Sequence, residues 1–144
     1  MIGIEFEKEN EYDNFLKTIF SGIDLENYDL DFTETEIINN KEKIIEKKEL
    51  LNIVKQSINE KYYIIFLNFK IFPKGEKKEK IEDYQDFLNS NCEFILLISD
   101  VVSVEMYFKD NYLKDQIIKN INSMNIKFNI KTLENDGRYI MSVI

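Results

Sequence analysis

Two β-rich runs meet at Ser99-Asp100, inside the stretch from Cys92 to Asp110. Phe94 to Ile98 is apolar at every position, the pattern of a central strand buried above and below. Val101 to Phe108 alternates instead. Val102, Val104, Met106 and Phe108 fall to one side and Ser103, Glu105, Tyr107 and Lys109 to the other, which predicts a strand with one wet face. The junction reads as a tight turn, because Asp bonds its own backbone there.

The same reading extends along the chain. Gly3 to Glu7 alternates as a first strand. Tyr12, Phe15, Leu16, Ile19 and Phe20 share one helical face, so a helix capped by Asn10, with Asp13 in the capping-box position, is predicted to run to about Phe20. Gly22 then supplies a left-handed end. Tyr28, Leu30 and Phe32 alternate with Asp29, Asp31 and Thr33 as a second strand. Asn39-Asn40, between Ile37-Ile38 and Ile44-Ile45, fits a small hairpin, and a helix beginning near Lys41 explains the same residues. Lys47 to Ile58 keeps helical spacing through Leu50 or Leu51, Val54 and Ile58. Tyr62 to Phe72 is a β-prone run expected inside the sheet and stopped by Pro73. Glu82 to Asn89 predicts a short helix with Tyr84, Phe87 and Leu88 inward. Asp110 caps a helix with Leu113, Ile117, Ile118 and Ile121 on its apolar face. Ile126, Phe128 and Ile130 alternate, and the Asp136-Gly137 turn before Tyr139 to Val143 predicts a closing β-hairpin.

Strands are interleaved with helices and also joined directly. The fold class that follows is α+β: a single domain, residues 1–144, with a mixed, largely antiparallel sheet of about six to eight strands and three to four amphipathic helices, mainly on one face. At 144 residues such a domain buries enough surface for a core without disulfides or metals.

Composition narrows the chemistry. There is no histidine, which removes Ser-His-Asp and Cys-His schemes and His-containing zinc sites. No other spacing of residues marks a catalytic motif, so the chain reads as non-enzymatic, with no cofactor and no metal. The lone Cys92 cannot form an intramolecular disulfide and reads as a small buried hydrophobe, which suits a reducing cytoplasm. The amino terminus has neither the basic nor the apolar region of a signal peptide, and no apolar run approaches the ~20 residues of a membrane span. A cytoplasmic location is expected.

Charge is uneven. Residues 1–36 carry eleven acids against two lysines, a net of −9, while residues 37–144 carry sixteen acids against seventeen bases, a net of +1. That balance argues against nucleic acid as a direct partner and for a basic protein. Glu5, Glu7, Asp29, Asp31, Glu34 and Glu36 are the candidate docking residues, although a solvated strand face accounts for the same alternation. A polar groove made by Ser103, Glu105, Tyr107 and Arg138, the only arginine, is the alternative site for a small molecule.

IGIEFE at the amino terminus, IFPKG after the long strand, and YQDFLNSNCEFILLISD followed by VEMYFKD together resemble a family of short acidic bacterial proteins known only as a domain of unknown function. The resemblance covers most of the chain and implies a cytosolic bacterial protein with no assigned activity, cofactor or catalytic residues. The expected function is a protein-binding module, of which an immunity-type antidote is one concrete form. The alternative is a small-molecule-binding or weakly catalytic domain. A monomer and a homodimer are both compatible with the sequence.

Overall fold

The computed structural model describes residues 2–55, 60–132 and 140–144. One six-stranded sheet organises them, with every pairing antiparallel. Its strands are β1 (Gly3–Glu7), β2 (Tyr28–Asn39), β3 (Tyr62–Pro73), β4 (Phe94–Ser99), β5 (Ser103–Phe108) and β6 (Asn129–Lys131), in the order β2-β3-β4-β5-β1-β6. The helices are α1 (Phe15–Ile19), α2 (Lys47–Val54), α3 (Tyr84–Asn89) and α4 (Asn111–Ser123), with a short 3₁₀ turn at Leu25–Asn27. The α+β class with an antiparallel sheet is therefore what the alternation predicted.

Three helices share one face of the sheet. Phe15, Leu16 and Ile19 of α1, Leu50, Ile53 and Val54 of α2, and Leu113, Ile117 and Ile121 of α4 enclose Phe69, Phe94, Leu96, Val104 and Met106 in a single core. Phe20 stands edge-on to Phe94, with ring centroids 5.9 Å apart, an arrangement that matches the positive ring edge to the negative face. The opposite face is only partly covered. There Phe72, Ile95, Leu97 and Tyr107 pack under Tyr84 and Phe87 of α3, Ile81 and Met141. Cys92 belongs to this second core, its thiol pushed up to about 12 chiefly by burial, which leaves it unreactive.

Several local expectations are corrected. Asn10 does not cap α1, and Tyr12 lies outside it, because the backbone of Asp13 exchanges both hydrogen bonds with Tyr62 (2.9 and 2.8 Å) and so holds the chain extended until Asn14. Lys8 anchors that corner, buried and ion-paired to Asp13 at 3.1 Å. Leu88 is 42% exposed, since a six-residue helix has room to bury only Tyr84 and Phe87, one turn apart. Tyr107 is not on a wet face; it is fully buried in the second core. Among the described residues the closing segment does not pair with β6: Ile140 bridges Asp83 and the Met141 N–H donates to the Glu82 carbonyl, while β6 pairs with β1. Ile58, the Asp136-Gly137 turn and Arg138 lie outside the described residues. At Asn39-Asn40 the hairpin forms, with Ile38 opposite Ile44.

β2 and β3 are the longest pair, and their register shifts twice. Thr33 faces Asn68, then Glu36 faces Phe66, then Ile37 faces Ile64. β2 carries one extra residue in the first step and β3 one in the second. Glu34 accordingly adopts a left-handed φ of 40°.

Two substitutions test this geometry with opposite signs. A Cβ added at Gly3 would stand 2.1 Å from the Met106 carbonyl oxygen and 3.2 Å from the Tyr107 ring, so Gly3→Ala should destabilise by about 1–3 kcal/mol. Val101, at the tip of the β4–β5 hairpin, has φ 70°, a region costly for a β-branched side chain. Val101→Gly should raise stability by about 1 kcal/mol. Urea unfolding midpoints of the two variants against wild type give both answers.

Candidate functional site

The partly covered face of the sheet opens, at its β2–β3 end, into a cavity of about 520 Å³. Its floor is strand: Asp31, Thr33 and Glu34 from β2, Asn68 and Lys70 from β3. Register brings these together, since Asp31 lies opposite Lys70 and Thr33 opposite Asn68. Its walls are the loop from Glu79 to Glu82 and the carboxy-terminal Ile140, Met141 and Ser142.

Polar groups on the floor are buried and joined. Asn68 is 2% exposed and Lys70 is 3% exposed. The Lys70 Nζ donates to Asn68 Oδ1 (2.8 Å) and to Thr33 Oγ1 (3.1 Å). The Asn68 amide in turn donates to Glu34 Oε1 (2.9 Å) and to the Met141 carbonyl (3.1 Å). Glu34 also accepts from the Ser142 hydroxyl at 2.8 Å and the Val143 N–H at 3.3 Å. The bulge makes this possible by turning Glu34 toward the carboxy-terminal segment. Among the described residues, Lys70 has no carboxylate within 4.0 Å, so the buried amine nitrogen stands on neutral hydrogen-bond partners.

Titration follows from that placement. Burial holds the Lys70 ammonium below the ordinary lysine value, against the opposing pull of Asp31, Cys92 and Glu34. Burial raises the Glu34 carboxyl, but the hydrogen bonds from Asn68, Ser142 and the Val143 N–H, with the charge of Lys70, outweigh it and bring the group below the ordinary carboxylate value.

The six candidate docking acids divide between two places. Glu5 and Glu7 lie on β1, whereas Asp29, Asp31, Glu34 and Glu36 lie on β2, four inter-strand spacings of about 4.8 Å away. Asp29 accepts from the Gly75 N–H (2.8 Å) and meets Lys74 at 3.7 Å. Asp31 and Glu34 line the cavity. Glu5 and Glu7 instead join Ser103 and Glu105 in a second groove of about 490 Å³, reached also by Lys127 and Asn129. Glu5 lies directly opposite Glu105, and Lys131 bridges both carboxylates at 3.4 Å, offsetting their repulsion. Tyr107 does not line that groove. Its hydroxyl donates to Glu105 Oε2 at 2.6 Å from below. The groove and part of the acidic set, treated separately in sequence, are thus one place.

Asn68 and Lys70 were not among the sequence candidates. The signal that marks them is a polar residue at alternate positions, Asn68 and Lys70 between Leu67, Phe69 and Ile71, inside a strand that is otherwise apolar. Among the described residues, no group of three or more His, Cys, Asp or Glu could hold a metal ion, and no helix is long and apolar enough to cross a membrane.

A family model described as a protein of unknown function (DUF2691) matches residues 1–142. The chain is also similar to the "Uncharacterized protein YncE" of Bacillus subtilis (strain 168), with 30% identity over 98% of each chain. No solved structure matches.

The Glu34 network makes a pH prediction. A carboxyl held lower in the folded chain than in the unfolded one stabilises the fold above its unfolded value, 4.5, and loses that contribution as pH falls through its folded value. Wild type should therefore exceed Glu34→Gln in stability at about pH 6, and the gap should shrink toward about pH 3. Paired denaturant titrations across that range measure it; a gap that stays constant would show Glu34 is not held by this network.

Proposed function

The chain belongs to this bacterial family of unknown function, and we propose that it is a small-molecule-binding domain whose site is the cavity over Asp31, Thr33, Asn68 and Lys70. One observation carries the reading. A lysine and an asparagine, each almost wholly buried, form the floor of a cavity of about 520 Å³. Burying an ammonium without a paired carboxylate costs several kcal/mol, and an apolar residue would serve a strand better at that position. Perturbed groups in a concave site are where binding and chemistry concentrate.

The lining defines the ligand. Lys70 recognises a carbonyl or carboxylate oxygen, and the Asp31 carboxylate recognises an amine or hydroxyl donor. The ligand is a small polar molecule carrying both kinds of group. Ile81, Ile140 and Met141 supply apolar wall for its carbon skeleton.

A second reading keeps the acidic surface as a docking site for a basic protein in the cytoplasm, in the manner of an immunity protein. The convergence of Glu5, Glu7 and Glu105 on one groove supports it. Against it, Asp29 and Glu34 on β2 are engaged by the protein's own donors, and Lys131 holds Glu5 and Glu105.

A thermal-shift panel of amino acids, hydroxy acids and keto acids at millimolar concentration tests the first reading. At a hundredfold excess over Kd, a ligand should stabilise the fold by ~2.7 kcal/mol. Asp31→Asn should weaken a true cavity ligand about tenfold, the loss of one charge-assisted hydrogen bond. Stabilisation that Asp31→Asn and Lys70→Met leave unchanged would place the ligand elsewhere. The docking reading predicts instead that association with a captured basic protein weakens steeply with salt and is lost in a Glu5→Gln, Glu7→Gln double variant.

A further inference from the structure

The way Lys70 is hydrogen-bonded bears on what the cavity can do. An ammonium has three N–H donors, whereas a neutral amine has two donors and a lone pair. Lys70 makes two hydrogen bonds among the described residues, to Asn68 Oδ1 and Thr33 Oγ1. Asn68 cannot turn its amide nitrogen toward Lys70 without giving up Glu34 and Met141, so it presents an acceptor there. Neither partner is charged, so neither holds the nitrogen as a cation. Three further observations agree. The nitrogen's partners are both cavity-lining residues, no carboxylate stands within 4.0 Å to hold it as a cation, and burial favours the uncharged form.

We infer that Lys70 is a nucleophilic amine that condenses with the carbonyl group of a small aldehyde or ketone held in the cavity. This rests on the cavity reading above and specifies its ligand. The Nζ lone pair forms a C–N bond to the carbonyl carbon while the C=O π pair moves to oxygen. Nitrogen then releases a proton and the oxygen takes one up, giving a carbinolamine. Protonation of its hydroxyl lets that oxygen leave as water while the nitrogen lone pair forms the C=N bond of an iminium, and loss of the remaining N–H proton yields the imine. One amine and one carbonyl become one imine and one water, with no oxidant or reductant. Asp31, opposite Lys70 in register, is the carboxylate placed to receive and return the proton.

The test uses the full chain, propionaldehyde and sodium cyanoborohydride at neutral pH, with each lysine's alkylation rate followed by peptide mass spectrometry. Cyanoborohydride fixes the imine as a stable secondary amine. Lys70 should be alkylated about tenfold faster than Lys48 and Lys74, whose side chains are 80% and 62% exposed. Asp31→Asn should slow Lys70 and leave Lys48 unchanged. Lys70 reacting no faster than the exposed lysines in wild type overturns the inference, whatever the variants do. If that result came with a hydroxy acid that still stabilises the protein in an Asp31-dependent way, the covalent step alone would fall and the cavity reading would stand. Failure of both measurements removes both.

Discussion

β3 is hydrogen-bonded along both its edges, by β2 on one side and β4 on the other, and this fixes its backbone against any adjustment. Everything its side chains do must then be done by alternation. One set, Leu67, Phe69 and Ile71, lies against the helices and is wholly buried. The other set, Asn68 and Lys70, meets a face that α3 and the carboxy-terminal segment cover only in part. A rigid strand cannot move a polar group out to water, so each polar atom there is satisfied locally or by whatever enters the cavity. The hydrogen-bonded chain Thr33, Lys70, Asn68, Glu34 is the consequence of that constraint. It is also why the site is precise: its members stand on paired strands rather than on loops.

Most of the fold was legible because amphipathic period decides it. The boundaries of β1 and the cap of α4 follow from residues adjacent in sequence, with Asp110 accepting from the Leu113 N–H at 2.9 Å. What period could not show is pairing at a distance. Asp13 looks like a capping-box acid until Tyr62, far along the chain, takes its backbone. Tyr107 looks solvated because alternation distinguishes two faces of a strand but cannot say whether the second is covered, and α3 covers it. The cavity was illegible for the same reason. It needs the register of Asp31 with Lys70 and the return of Met141 across the sheet, neither of which leaves a local trace.

The acidity of the first thirty-six residues has several structural uses. β2 is an outer strand, and along it Asp29, Asp31, Glu34 and Glu36 place negative charge where an unpaired backbone edge would otherwise recruit another strand. Glu5 is held with Glu105 by Lys131, and Asp13 by Lys8. Net charge along the chain is thus a poor guide to a docking patch when the same carboxylates cap turns, guard an edge and line a cavity.

The two register shifts between β2 and β3 are opposite in sense, one extra residue on each strand, so the pairing before Thr33 and after Ile37 is in phase. Losing only one of them would leave Leu30 and Phe32 in the core while turning Ile37 to the other face. To keep both halves of this pair in phase, a change of one residue on β2 would have to be answered by one on β3. Glu34 occupies the inserted position, which ties this carboxylate of the cavity to the register of the two strands as well as to its hydrogen bonds.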